Sequence, residues 1–206
     1  MGRAAVDPEF VARRTATFTV GDGTTVRLRP IVPQDKPGLV AGFDRLSPAS
    51  RYLRFMTPLG ELDDGMLHRL TELDYVNHFA WLALLPDEPG EPGAGVARYV
   101  RLDDEPEIGE AAVVVIDEYQ RRGIGTLLLE ALGAVALENG IRTLRGYVLE
   151  ENSDMRRVAE AIGSRLVHEA PGMLRMDVDV AARAEQLRGT PLGDALSALA
   201  RGEASG

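Results

Sequence analysis

No cysteine occurs among the 206 residues, which removes disulfides, thiolate metal sites and a thiol nucleophile from consideration. Histidine is nearly as scarce. His68, His78 and His168 stand far apart without the spacing of metal ligands, and no metal is expected. No apolar run approaches the roughly 20 residues needed to cross a bilayer, and no basic-then-apolar leader opens the chain. Positive charge is in deficit: 23 Lys and Arg against 32 Asp and Glu leave a formal charge of −9. That balance argues against nucleic acid, whose recognition depends on neutralising phosphates. It would attract a cationic partner, although solubility alone accounts equally for acidity of this size. What is present is a chain with 45% hydrophobic residues, in the range of a folded core and expected to be cytoplasmic.

The order of elements reads as one α/β domain with a helical tail. Gly21-Asp22-Gly23 is a turn, and Thr24 to Arg29 alternates in part as a strand does. Pro33 to Leu46 turns helical, and Ser47 and Pro48 supply the cap and first position of a second, short helix. Leu62, Met66, Leu70 and Leu73 recur at helical spacing. Val76 to Leu85 is apolar almost throughout, as a strand buried on both faces is, and Trp81 within it reads as core. Ala94 to Leu102 and Ile108 to Ile116 follow as strands, and Thr126 to Asn139 as a helix stopped by Gly140. Arg142 to Leu149 is a strand, Asn152 to Ile162 a helix, and Ser164 to Val180 a hairpin turning at Pro171-Gly172. Ala181 to Arg201 reads as two tail helices broken around Gly189 to Pro191, able to pack on their own domain or on a second subunit, so a homodimer stays open. The resulting divisions are an extension over 1–20, a domain over 21–180 and a tail over 181–206.

The strongest chemistry lies where the β-branched strand Ala111 to Ile116 runs through Asp117-Glu118-Tyr119-Gln120-Arg121-Arg122-Gly123-Ile124-Gly125-Thr126 into a long helix. A helix start leaves backbone N–H groups without intrahelical partners and carries the positive end of the dipole. Gly123 and Gly125 let that backbone approach a pyrophosphate without an intervening Cβ. Thr126 adds a hydroxyl, and Arg121 and Arg122 add charge. A dinucleotide loop would have a third glycine where Leu128 stands, and a nucleoside-triphosphate loop would have Gly-Lys-Ser/Thr, which is absent.

Gln120-Arg121-Arg122-Gly123-Ile124-Gly125 resembles the Gln/Arg-x-x-Gly-x-Gly/Ala signature of the GNAT superfamily of acyl-CoA N-acyltransferases, and the resemblance extends from Thr24 to Asp179. It implies a mixed, largely antiparallel sheet flanked by helices, acetyl-CoA as cosubstrate and an amine as acceptor. It further implies that the N–H groups of Arg121 through Thr126 hold the pyrophosphate, and that Val114, Val115 and Ile116 pair with the pantetheine amides as an added strand does. Asn152, with Met155 and Arg156 one turn later, matches the family's asparagine after the fifth strand. Leu46-Ser47-Pro48-Ala49-Ser50-Arg51-Tyr52-Leu53-Arg54-Phe55, preceded by Arg29-Pro30, resembles a segment of bacterial Pat-type protein lysine acetyltransferases. That narrower likeness implies a protein lysine as acceptor, with a small-molecule amine as the alternative. Tyr52 and Phe55 themselves read as core residues of a short helix.

Acetyl transfer requires a neutral amine, whereas lysine has an unperturbed pKa near ~10.4, so a base must remove a proton. Glu110, at the opening of the strand Ala111 to Ile116 and matching the Pat-type glutamate, is the candidate; an apolar strand around it would raise its pKa by desolvation. A backbone N–H near Val115 or Ile116 would stabilise the thioester oxygen. Many family members protonate the leaving thiolate with a tyrosine on the helix after the asparagine, and here Ala159 stands near that position. That departure keeps a second reading in play, an acyl-CoA-binding regulatory module with little catalysis.

Overall fold

The apolar run around Trp81 forms β3 (His78–Leu84), whose residues 79–83 are buried on both faces. Val76 and Asn77 stay outside it, because the Asp74 carboxylate accepts from the N–H groups of Val76, Asn77 and His78 and turns the chain there. In the computed structural model, which describes residues 6–204, β3 is central to one sheet. Its companions are β1 (Ala16–Thr19), β2 (Thr25–Pro30), β4 (Gly93–Arg101), β5 (Ile108–Val115), β6 (Thr143–Leu149), β7 (Arg165–Ala170) and β8 (Met173–Asp179). The spatial order is β1-β2-β3-β4-β5-β6-β8-β7, and every neighbouring pair is antiparallel except β5 with β6. The mixed, mostly antiparallel α/β sheet expected from the family likeness is therefore present.

Helices cover both faces. α2 (Lys36–Asp44), α3 (Pro48–Phe55) and α4 (Asp64–Thr71) lie on one side, where Ala80 and Leu82 of β3 meet Ile31 and Leu73. α5 (Ile124–Glu138), the crossover from β5 to β6, lies on the other against β3, β4 and β5. α7 (Val180–Leu187) and α8 (Pro191–Arg201) cover its outer side, so α5 is apolar nearly all round, as a helix enclosed by protein must be. Its one buried charge, Glu130, is paired with Arg183 at 2.5 Å. α6 (Ser153–Ala161) follows β6.

Two elements went unread in the sequence. α1 (Pro8–Ala12) is a single short turn capped by Asp7, and β1 is too brief and too polar to stand out. β1 nevertheless pairs with β2 along its whole length, so the sheet begins inside the 1–20 segment. The tail rests on its own chain: Leu196, Leu199 and Ala200 of α8 belong to the main core. Phe55 packs edge-on to Phe43 at 5.9 Å as expected of a core residue, whereas Tyr52 is 42% exposed and does not. Among the described residues no helix is long and apolar enough to cross a membrane.

Candidate active site

β5 and β6 pair only across Ile108–Glu110 and Thr143–Arg145 and then part, while β5 continues along β4 and β6 along β8. The Ile116 N–H donates to the Ala94 carbonyl at 2.9 Å, which fixes the phase of the antiparallel ladder with β4. Alternate residues of such a ladder turn their backbone groups to opposite sides. Val114 therefore spends its groups on β4, Ile116 gives its N–H to β4 and its carbonyl to the Tyr119 N–H at 2.8 Å, and Val113 and Val115 turn theirs into the gap. Of the expected pairing strand Val114 to Ile116, only Val115 faces the opening. Val113, not singled out from the sequence, is its companion, and the ladder's phase is a tertiary fact that a lone strand does not reveal. The Val115 carbonyl is occupied by Gln120 Nε2 at 3.0 Å, leaving the Val115 N–H and both Val113 groups for a ligand.

The gap widens into a cleft of about 390 Å³ at the loop from Gln120 to Thr126. Arg121 has φ 62° and Gly123 φ 95°, so the loop enters the left-handed region twice before α5 begins. Successive N–H groups in that conformation form a concave nest for an anion, and the dipole of α5 adds to it. A left-handed non-glycine residue is strained by about 1–2 kcal/mol, a feature that clusters at binding loops. A Cβ on Gly125 would find only Val115 Cγ2 within 4 Å, at 3.6 Å, so the space beside this residue is cleft rather than protein.

The side chains of the loop divide by direction. Thr126 and the exposed Arg121 line the cleft. Ile124 is 1% exposed and packed in the core, so it offers only backbone. Gln120 turns inward to the strand end. Arg122 turns away: it donates to the Glu118 carbonyl at 2.9 Å, stacks over Tyr119 and faces Asp22. Of the two arginines expected to supply charge to the anion, Arg121 alone lines the cleft.

Across the gap, Asn152 caps α6 by accepting from the Met155 N–H at 3.0 Å and lines the cleft together with Met155. Arg156 is exposed and away from the cleft, because one residue's step around a helix is about 100°. Asp154 and Arg157 occupy the lining instead; Asp154 bonds Arg121 at 3.2 Å across the mouth and Arg157 at 2.9 Å on its own helix. The Asp117 carboxylate ties α3 to the same loop, accepting from the Ser47 N–H at 3.0 Å, the Ser47 hydroxyl at 2.7 Å and the Ser50 hydroxyl at 2.8 Å.

Glu110 is the last residue of β5 paired with β6, opposite Arg145, and so stands at the vertex where the strands separate. It lines a second cleft of about 260 Å³ that shares Arg54, Val113, Asn152 and Met155 with the first. Glu110 is exposed, so the apolar enclosure anticipated for it is absent; its charged neighbour is Arg54. Ala159 is fully buried in α6 and brings no acid to the cleft. Tyr147 of β6 does line the cleft beside Glu110, a phenol the sequence reading passed over because the family position lies on the helix.

A parallel strand pair that parts halfway, with an anion nest at the mouth of the gap and open backbone along one wall, defines a site for an acyl-CoA cosubstrate. The residues present fit that group: Val113 and Val115 for its amides, Arg121 to Thr126 for its pyrophosphate. Residues 25–165 match the family model described as an acetyltransferase (GNAT) domain, and the chain belongs to this family of acetyl-CoA-dependent N-acetyltransferases. Among curated relatives it is 32% identical over 161 residues to acetyltransferase Pat of Mycolicibacterium smegmatis, covering 78% of this chain and 47% of that protein. It is 31% identical over 145 residues to acetyltransferase PA5475 of Pseudomonas aeruginosa, covering 70% of this chain and 77% of that one. The chain thus spans about half the length of the mycobacterial relative. The crystal structure of the GNAT domain of S. lividans PAT superposes with a TM-score of 0.76 at 32% identity, over 82% of this chain and 98% of that one.

Proposed function

We propose that this chain transfers acetyl from acetyl-CoA to a protein lysine side chain, with Glu110 as general base. One observation carries the reading: a carboxylate stands at the vertex of the splayed strands, exposed to a cleft continuous with the phosphate nest. Acetyl-CoA supplies an activated acyl thioester. The loop from Arg121 to Thr126 anchors the phosphates through backbone N–H groups and the helix dipole. Val113 and Val115 hold the pantetheine arm as an added strand. The Val113 N–H, on the Glu110 side, donates to the thioester oxygen as charge grows there, while the Val113 carbonyl and the Val115 N–H hold the arm. The Ile116 N–H, already given to Ala94, does not serve. Glu110 receives the acceptor amine's proton directly or through one water, an arrangement its exposure allows. Tyr147 is the group available to return a proton to the departing thiolate.

The test separates the enzyme from an acyl-CoA-binding module. Glu110→Gln should lower amine-dependent thiol release by about 10²–10⁴-fold, the usual worth of general base catalysis, with acetyl-CoA affinity unchanged by calorimetry. Absence of release from any peptide or small amine in the wild type, with acetyl-CoA still bound, would establish the module instead.

A further inference from the structure

The sheet face opposite α5 carries a buried cation that has no carboxylate within ion-pair distance among the described residues. Arg98, in the middle of β4, is 6% exposed. Its Nη1 lies 3.1 Å from His78 Nε2, and its Nη2 donates to the Leu70 carbonyl at 3.2 Å. Because arginine only donates, His78 Nε2 is the acceptor. The Arg98 Nε is buried with no partner. The charged group acting on it is a second cation, Arg54, which is half-buried at the end of α3 and stacked on Phe55. The carboxylate that acts on Arg54 is Glu110, beyond ion-pair distance. Burial, then Arg54, push the Arg98 guanidinium down to about 9, which leaves it charged at neutral pH.

A buried cation without a carboxylate is among the least favourable groups in a protein interior, and an apolar side chain of the same volume would serve packing better. Arg98 and Arg54 line one recess of about 80 Å³ between Phe43, Phe55, Leu82 and Val114, large enough for a carboxylate and too small for a nucleotide. Arg54 also lines the cleft that holds Glu110. Arg54 therefore bridges from the base to the recess.

Resting on the acetyl-transfer reading above, we propose that Arg98 and Arg54 form a carboxylate-binding subsite, so that the acceptor is an amine with a carboxylate close beside it. The amine points to Glu110 and the carboxylate enters the recess, where the Arg98 and Arg54 guanidinium groups that line it supply charge-assisted hydrogen bonds. Such a carboxylate can come from an acidic residue flanking a target lysine or from a free amino acid.

Matched acceptors decide the matter: a lysine peptide with a neighbouring Glu against the same peptide with Gln, and free amino acids against their amides, read by thiol release. In the wild type the carboxylate member of at least one pair should have kcat/KM higher by about tenfold or more, the worth of one charge-assisted hydrogen bond. Which pair shows it identifies the source. Arg98→Met should bring the ratio to near one through KM while acetyl-CoA affinity by calorimetry is kept, and Arg98→Lys should restore part of it. Equal turnover within every pair, or a preference that survives in R98M, would overturn the subsite. If no acceptor is turned over, the transferase reading falls, and titration with glutarate decides the subsite separately: binding lost in R98M keeps it, and no binding sinks it. Should R98M lose its circular-dichroism signature, Arg98→Gln, which keeps a hydrogen-bonding side chain without the charge, carries the same comparisons.

Discussion

Gly123 and Gly125 stand two residues apart and are required for different reasons. Gly123 has φ 95°, so any side chain there is strained by its own backbone, whatever ligand is present. Gly125 has ordinary helical backbone and open space beside it. Gly123→Ala should therefore lower stability by about 1–2 kcal/mol, the usual penalty of a left-handed L-residue. Gly125→Val should leave the melting temperature nearly unchanged and weaken coenzyme A by about tenfold or more, since two or more phosphate hydrogen bonds are displaced. Calorimetric titration and thermal melts on both variants check the separation; unchanged coenzyme A affinity in Gly125→Val would remove the phosphate from this loop. The two glycines, Gln120 and the helix start were legible in the sequence because they form a contiguous pattern. The inward turn of Gln120, the outward turn of Arg122 and the replacement of Arg156 by Arg157 were not. Those directions depend on partners such as Val115 and Asp22, which are distant in sequence or hidden in backbone phase.

At the scale of elements, the site is a junction between α3, β5 and α5, and Asp117 is its fastener. Burial alone would raise the Asp117 carboxyl, but the Ser47 N–H and the hydroxyls of Ser47 and Ser50 favour the anion more and hold it below the usual carboxylate range. A carboxyl depressed in the folded state contributes stability above the unfolded pKa of ~3.9 and loses it as pH falls through the folded value. Asp117→Ala should lower stability by about 1–2 kcal/mol at neutral pH, discounted for its exposure. The gap in melting temperature between variant and wild type should stay constant above pH ~5 and close toward pH ~3. A gap that stays constant down to that limit would mean the carboxylate is not the fastener. The sequence did display Ser47 as a helix cap, and the structure agrees, with the Ser50 N–H donating to its hydroxyl at 3.1 Å. It could not display Asp117 as the partner, because the pair is separated by 70 residues and by the whole of β3 and β4.

Over the whole molecule, the described ends of the chain are drawn into one core rather than appended to it. Phe10 of α1 and Phe18 of β1 pack against the main cluster, and α8 lays Leu196 and Leu199 on the outer face of α5. The Ala204 N–H donates to the Arg13 carbonyl at 3.2 Å, so the described ends meet. α5 is thus held from outside by α8 and from inside by the sheet, and its first turn carries the proposed phosphate nest. A tail that shares the core must melt with it. Leu199→Ala, at a fully buried position, should lower stability by about 2–5 kcal/mol. Thermal melting should still show one cooperative transition, shifted down by roughly 4–20 °C at 2–4 °C per kcal/mol. Acetyl-CoA affinity measured well below the transition should be unchanged, because the α5 start is fixed by Gly123 and the β5 ladder rather than by Leu199. Two separate transitions would instead make the tail an independent unit, and a loss of acetyl-CoA binding in the folded variant would show that α8 sets the geometry of the nest through α5.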